Sequence, residues 1–177
     1  AVVTGGGRGI GRAVAHLLAE EMASLVINDL GCEADGTGYR SATADSVVEE
    51  GTQAGGKAVS SYDDVSTMEG GEAVIQKAVD TYGRIDVLVN SVGVRRDAMI
   101  SQMNPEDWHV VIRNSLKSAF TTTKNACILM RQQRSGRIVN LTSDAGLGAI
   151  GMANYSAAME GIIGMTRTVA RDMGRYG

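Results

Sequence analysis

Short apolar runs alternate along this chain with longer stretches in which apolar residues recur every three or four positions. The runs are Val2-Val3, Leu25 to Asn28, Lys57 to Ser61, Ile85 to Val89 and Arg137 to Leu141, each of strand length and bounded by glycine or polar residues. The periodic stretches predict helices over Gly9 to Met22, Ser41 to Gln53, Ser66 to Tyr82, Pro105 to Arg131 and Asn154 to Arg175. Ile10, Val14, Leu17 and Leu18 are the expected inner face of the first helix, and Trp108, Val111, Ile112 and Leu116 that of the fourth. Strands apolar throughout belong to a sheet covered on both faces, and strands alternating with helices belong to a parallel one. The predicted fold class is α/β, a doubly wound parallel sheet of Rossmann type.

No proline- or serine-rich linker divides the 177 residues, so 1–177 read as a single domain. The chain opens inside a strand and stops just after a helix, where a doubly wound sheet is expected to receive another strand. The domain is accordingly expected to be incomplete at both ends, truncated before its last strands, with Val139 and its neighbours on an open edge.

A formal net charge of −3, with the basic residues scattered, gives no electrostatic footprint for nucleic acid or an anionic membrane. No apolar run reaches membrane-spanning length. Cys32 and Cys127 stand apart without a C-x-x-C, and His16 and His109 are solitary, so neither a disulfide framework nor a metal site is expected. The expectation is a soluble, cytoplasmic protein with a small-molecule substrate.

Thr4-Gly5-Gly6-Gly7-Arg8-Gly9-Ile10-Gly11 lies between the first strand and the first helix, where backbone N–H groups and the positive helix end can hold a pyrophosphate. Asp29 closes the second strand, 18 residues past Gly11 (29 − 11). A carboxylate there accepts from ribose hydroxyls and repels a 2′-phosphate, which favours NAD over NADP, although Arg8 and Arg12 blunt that preference. An ordinary strand-end turn residue is the rival reading of Asp29.

With these pieces stand Asp64-Val65 after the third strand, Asn90-Ser91-Val92-Gly93 after the fourth, Gly136 to Ser143 around the fifth, and Asn154-Tyr155-Ser156-Ala157-Ala158. Together they resemble the short-chain dehydrogenase/reductase family, from its first strand to the helix that carries its catalytic tyrosine. Val26 to Gly31 with the glycine-rich loop after it, and Gly55 to Val59, further resemble the hydroxyacyl-CoA dehydrogenase branch found in multifunctional β-oxidation enzymes. The resemblance implies hydride transfer between a nicotinamide and a hydroxyl/carbonyl pair. Tyr155 would exchange the proton and Ser143 would position the substrate oxygen. The cofactor would lie on Gly5, Arg8, Gly9, Ile10, Gly11, Asp29, Asp64, Val65, Asn90, Gly93 and Tyr155. The family also implies pairing of subunits through the helices 105–131 and 154–175.

Three positions depart from the family pattern. Met159 stands where a lysine should follow Tyr155 by four residues; that lysine favours the tyrosinate and binds the cofactor ribose. Ser115 takes the place of the usual asparagine before Leu116-Lys117, and Asn114, one residue early, is expected to point elsewhere. Val92 replaces a smaller residue and is expected to crowd the cofactor. An unperturbed tyrosine, of pKa about 10, is tyrosinate in only on the order of one molecule in a thousand at neutral pH, so losing the lysine is the serious change. Lys117 is expected on the solvated side. The chain therefore reads as a dehydrogenase weakened at Met159, as a cofactor-binding pseudoenzyme silent within a heteromer, or as an inactive fragment.

Overall fold

A computed structural model describes residues 1–53 and 55–177. The strands β1 (Val2–Thr4), β2 (Ser24–Asn28), β3 (Lys57–Ser61), β4 (Val87–Asn90) and β5 (Arg137–Asn140) form one parallel sheet in the order β3-β2-β1-β4-β5. Among the described residues six α-helices connect or flank them: α1 (Gly9–Glu20), α2 (Ala42–Gln53), α3 (Met68–Tyr82), α4 (Pro105–Val111), α5 (Ser118–Gln133) and α6 (Ala153–Met173). β1 sits at the centre, with Val2 opposite Val26 and Leu88, and Val3 opposite Ile27 and Val89. The strand order reverses beside it, and in open α/β sheets ligands bind at that switch point, outside the carboxyl ends of the strands.

The pleat explains why the strands are apolar throughout. Val2, Val26 and Leu88 face a core shared with Val74 and Ile75 of α3 and Ala126 and Met130 of α5. Their neighbours Val3, Leu25, Ile27 and Val89 face the opposite side, against Ala15 and Ala19 of α1 and Ala44 and Val47 of α2. A third cluster joins Val94, Val110, Val111 and Ala119 to Ala158, Met159 and Ile162 of α6. Val139, on the edge strand β5, is 49% exposed.

Two sequence expectations need correction. On α1 Val14 and Leu18 pack against the core as expected, but the fully buried positions are Gly11, Ala15 and Ala19, and Ile10 and Leu17 are 66% and 61% exposed. The glycine turn presses the helix start so close that a Cβ on Gly11 would lie 2.2 Å from the Gly5 carbonyl oxygen, and only small residues fit along that contact. Trp108 is 37% exposed and only Val111 of the expected set is fully buried, with Ile112 and Leu116 partly buried at the margin of the third cluster. The helix predicted over 105–131 is continuous but contains a π-helical segment, Ile112–Lys117, between α4 and α5. Its wider turn shifts the faces that a 3.6-residue period assigns.

α3 and α5 meet closely because Gly71 has no side chain: a Cβ there would lie 2.6 Å from Thr121 Cβ. Gly71→Ala should destabilise the fold by about 1–3 kcal/mol through overpacking, read as a lower midpoint in chemical denaturation.

Candidate active site

The chain opens a cleft of about 400 Å³ along the carboxyl ends of the strands. Its floor begins at the glycine turn. Gly5 (φ +63) and Gly9 (φ +54) adopt the left-handed conformation that favours glycine, and a Cβ on Gly9 would meet nothing within 4 Å. Thr67 and Asn104 cap the first turns of α3 and α4 with their side chains, whereas α1 has no side-chain cap at Arg8. The leading N–H groups of α1 therefore remain available to an anion, and a pyrophosphate suits this end of the cleft.

Asp29 holds the chain at the end of β2, as a strand-end turn residue does. Its Oδ2 accepts from the Gly7 N–H at 2.9 Å and its Oδ1 from the Gly31 N–H at 2.7 Å. It thus ties the glycine turn to the loop 29–40 while it also lines the cleft. Arg8 pairs with Glu33 at 4.0 Å, and Arg12 pairs with Glu50 at 2.8 Å on the α1–α2 surface. Both arginines that blunted the case for NAD are thus matched by carboxylates. Asp64 and Val65 line the same end, with Asp64 Oδ1 accepting from the Ser66 N–H at 2.9 Å. Cys32 is a further wall residue, and burial, followed by the charges of Asp29 and Asp64, pushes its thiol above the ordinary value. It stays a neutral wall at neutral pH.

At the other end, Gly93, Tyr155, Met159, Asn114 and Thr142 line the cleft. Gly93 lies beside the Tyr155 ring, where a Cβ would make an ordinary contact at 4.0 Å. Met159 is 3% exposed and packed in the third apolar cluster, and it brings no charge to Tyr155. Lys117 is exposed, as expected. Arg95 is different: its guanidinium lies over the Tyr155 ring, 5.9 Å from the centroid, and donates to Asp97. The hydrogen bond to Asp97, with a smaller contribution from Tyr155, raises the Arg95 guanidinium above its ordinary value, and it is always charged.

Not every expected site residue meets in the cleft. Ser143 is the N-cap of a short 3-10 turn, Asp144–Leu147; its Oγ accepts from the Ala145 N–H at 3.2 Å and donates to Asp144 Oδ1 at 3.1 Å. Thr142, rather than Ser143, lines the wall beside Tyr155, and its hydroxyl donates to the Met159 carbonyl at 3.0 Å. Ser115 is fully buried beneath the wall, with its Oγ accepting from the Val94 N–H at 3.4 Å. Asn114 faces the cleft instead, against expectation, because the π-helical turn moves it there. Gly11 is a contact between helix and turn, as described above. Asn90 is an internal tie: its Oδ1 accepts from Thr122 Oγ1 at 2.7 Å and its Nδ2 donates to Asn140 Oδ1 at 2.8 Å. Val92 lines the cleft but also packs against the core under β4, which takes up part of its bulk.

The family model described as short chain dehydrogenase matches residues 1–177. The chain is 45% identical over 170 residues to the peroxisomal multifunctional enzyme type 2 of Mus musculus, covering 96% of this chain and 23% of that protein. It is 42% identical over 178 residues to a 3-oxoacyl-[acyl-carrier-protein] reductase of Synechocystis, covering 100% of this chain and 69% of that protein. A crystal structure of a short chain dehydrogenase from Mycobacterium avium superposes with a TM-score of 0.91 at 44% identity, over 99% of this chain and 63% of that one. The chain thus spans about a quarter of the multifunctional relative and under two thirds of the mycobacterial one.

Asn90→Ala should leave Asn140 Oδ1 without its donor, while the Thr122 hydroxyl keeps the Ser118 carbonyl, and cost about 1–3 kcal/mol of stability. A denaturation curve measures this.

Proposed function

Because this chain belongs to the short-chain dehydrogenase family, we propose that it is an NAD(H)-dependent oxidoreductase acting on a hydroxyl/carbonyl pair. The observation that carries this reading is one continuous cleft, from the uncapped α1 and Asp29 at one end to Gly93 and Tyr155 at the other. A bound nicotinamide would accept or supply the hydride. In the direction of oxidation, Tyr155 takes the proton of the substrate hydroxyl as hydride leaves its carbon; in reduction it returns that proton to the carbonyl oxygen. Ser143 remains the proposed positioning group for the substrate oxygen, and Asp64 and Val65 the proposed holders of the adenine end. The pairing of Arg8 with Glu33 and of Arg12 with Glu50 supports NAD over NADP.

An acyl thioester is the substrate class that we favour. The loops 91–104 and 141–152 flank Tyr155, are joined by the Ala98 N–H to Gly151 carbonyl bond at 2.9 Å, and expose Ile100, Leu147 and Ile150. Such apolar side chains suit a hydrocarbon tail, and the relative named as an acyl-carrier-protein reductase supports the same chemistry. Exposed Phe120 and Ile128 on α5 support pairing of subunits through the helices 105–131 and 154–175. Among the described residues no helix is long and apolar enough to cross a membrane. Free thiols fit a reducing compartment, and cytoplasmic placement remains our proposal although the mouse relative is named peroxisomal.

Met159 favours a second reading, a cofactor-binding subunit that is silent within a heteromer. Its apolar packing leaves nothing at position 159 to hold a cofactor ribose. NADH fluorescence and turnover of a 3-oxoacyl thioester, compared between the chain and Met159→Lys, separate the readings. Binding without turnover, with a gain of about 10²- to 10⁴-fold in kcat/KM on adding the lysine, supports the silent subunit. Turnover by the unmodified chain supports the dehydrogenase and refutes the silent subunit. Absence of NADH binding in both variants refutes both and leaves an inactive product. In the same assay Glu33→Gln, which releases Arg8, should narrow the preference for NADH over NADPH by about 3- to 10-fold; an unchanged ratio of dissociation constants counts against the pairing as a determinant.

A further inference from the structure

The strand order places β1 between β2 and β4, so a loop that joins the end of β2 to the loop after β4 spans the carboxyl end of β1, where the glycine turn lies. The loop 29–40 makes that crossing. The Arg95 N–H donates to the Ala34 carbonyl at 2.9 Å, Arg96 Nε donates to the Asp35 carbonyl at 2.9 Å, and a Cβ on Gly36 would touch Val94 at 3.4 Å. The loop is also closed on itself. At its neck the Arg40 N–H donates to the Leu30 carbonyl at 2.9 Å; at its tip the Glu33 N–H donates to the Thr37 carbonyl at 2.7 Å, and Thr37 Oγ1 to Asp35 Oδ1 at 2.7 Å. Gly31 (φ +67) and Gly38 (φ +78) supply left-handed backbone on either side of the neck. A loop bonded to itself above a narrow neck moves as a unit.

Among the described residues Arg96 is the one side chain of the loop 91–104 that bonds to the loop 29–40, and its second donor, Nη1, reaches Asp107 Oδ1 at 3.3 Å on the first turn of α4. We propose that the loop 29–40 is a strap over the cofactor end of the cleft and that Arg96 is the positioning residue that latches it. The inference rests on the reading of the cleft as a dinucleotide site. With the latch closed, Asp29 at the neck and Ala34 and Gly36 at the tip stand as one wall against the ligand; with it open, the ligand leaves more readily. Bridging two acceptors requires the separated N–H groups of a guanidinium. The Arg96 and Asp107 side chains are 23% and 26% exposed, whereas Arg8 and Glu33, which also tie the strap to the turn, are 52% and 54% exposed and 4.0 Å apart, so the Arg96 bridge is the stronger hold. Asn154 donates to the backbone carbonyl of Arg96, and Asp107 keeps Asn104 Nδ2 at 2.6 Å. Truncating the Arg96 side chain therefore frees the strap while the starts of α4 and α6 keep their ties.

Amide hydrogen exchange, followed by NMR in the chain without cofactor, reads the latch. The Arg95 N–H is bonded to the strap and reports its opening; the Ser91 N–H, bonded to the Thr4 carbonyl at 3.2 Å, reports the sheet end beside it. Arg96→Ala should speed exchange at Arg95 by about 10-fold and leave Ser91 within about two-fold. Asp107→Asn, which changes no sequence neighbour of that amide, should speed it by about 2- to 4-fold, and Arg96→Lys should recover part of the protection. In stopped-flow fluorescence NADH should leave Arg96→Ala about 3- to 10-fold faster, with association no slower. An unchanged Arg95 amide, or equal acceleration at Ser91, overturns the latch, as does no recovery at all in Arg96→Lys. Weaker NADH binding that comes from slower association, at an unchanged dissociation rate, overturns the strap. Absence of NADH binding in the unmodified chain refutes the proposed function, and the amide exchange still decides the latch.

Discussion

Asp29 accepts one backbone N–H with each carboxylate oxygen, from Gly7 in the turn after β1 and from Gly31 in the loop after β2. Those two bonds decide where the cleft lies. They hold the glycine turn against the end of the sheet, at the point where the strand order reverses, and they anchor the loop whose other half bonds to Arg95 and Arg96. The turn in turn requires Gly11, because any side chain there would collide with the Gly5 carbonyl. A single acidic side chain thus sets the floor and, through the loop 29–40, one wall.

The opposite wall is built from a different material. Ala158, Met159 and Ile162 of α6 pack with Val94, Val110 and Val111, so the helix that presents Tyr155 is fixed by apolar contact. In that setting the exchange of a lysine for Met159 costs the fold nothing visible, since the side chain is buried among apolar neighbours that suit it. The loss falls on electrostatics. Structural tolerance at this position and chemical demand at the same position are independent, and a chain can retain the shape of a dehydrogenase without a lysine one helical turn from its tyrosine.

Much of this was legible in the residues. The strand and helix runs, the parallel doubly wound sheet and the glycine turn with Asp29 after it follow from periodicity and local backbone requirements, and all stand in the structure. On α1 Val14 and Leu18 face the core, but Ile10 and Leu17 do not, because close approach to the turn selects the small Gly11, Ala15 and Ala19 over larger residues that outweigh them on any hydrophobic scale. Asn114 was misplaced because the π-helical segment adds a shift that no 3.6-residue count contains, whereas Trp108 precedes that segment and is exposed on the ordinary helix α4. Asn90, expected at the cofactor, is a hydrogen-bonded tie at the end of β4, held by Thr122 and Asn140, which lie 32 and 50 positions away in the chain.

The sequence by itself determined the family, the fold class, the glycine-rich turn and the absence of a lysine at position 159, because each depends on residue identity at short spacing. Only the tertiary structure decided which charge stands beside Tyr155 and which carboxylates occupy Arg8 and Arg12. Arg95 and Tyr155 are 60 positions apart (155 − 95) and meet because one loop is hydrogen-bonded both to the loop after β2 and to the first turn of α6. Electrostatic pairing depends on distance through space, which local periodicity does not encode.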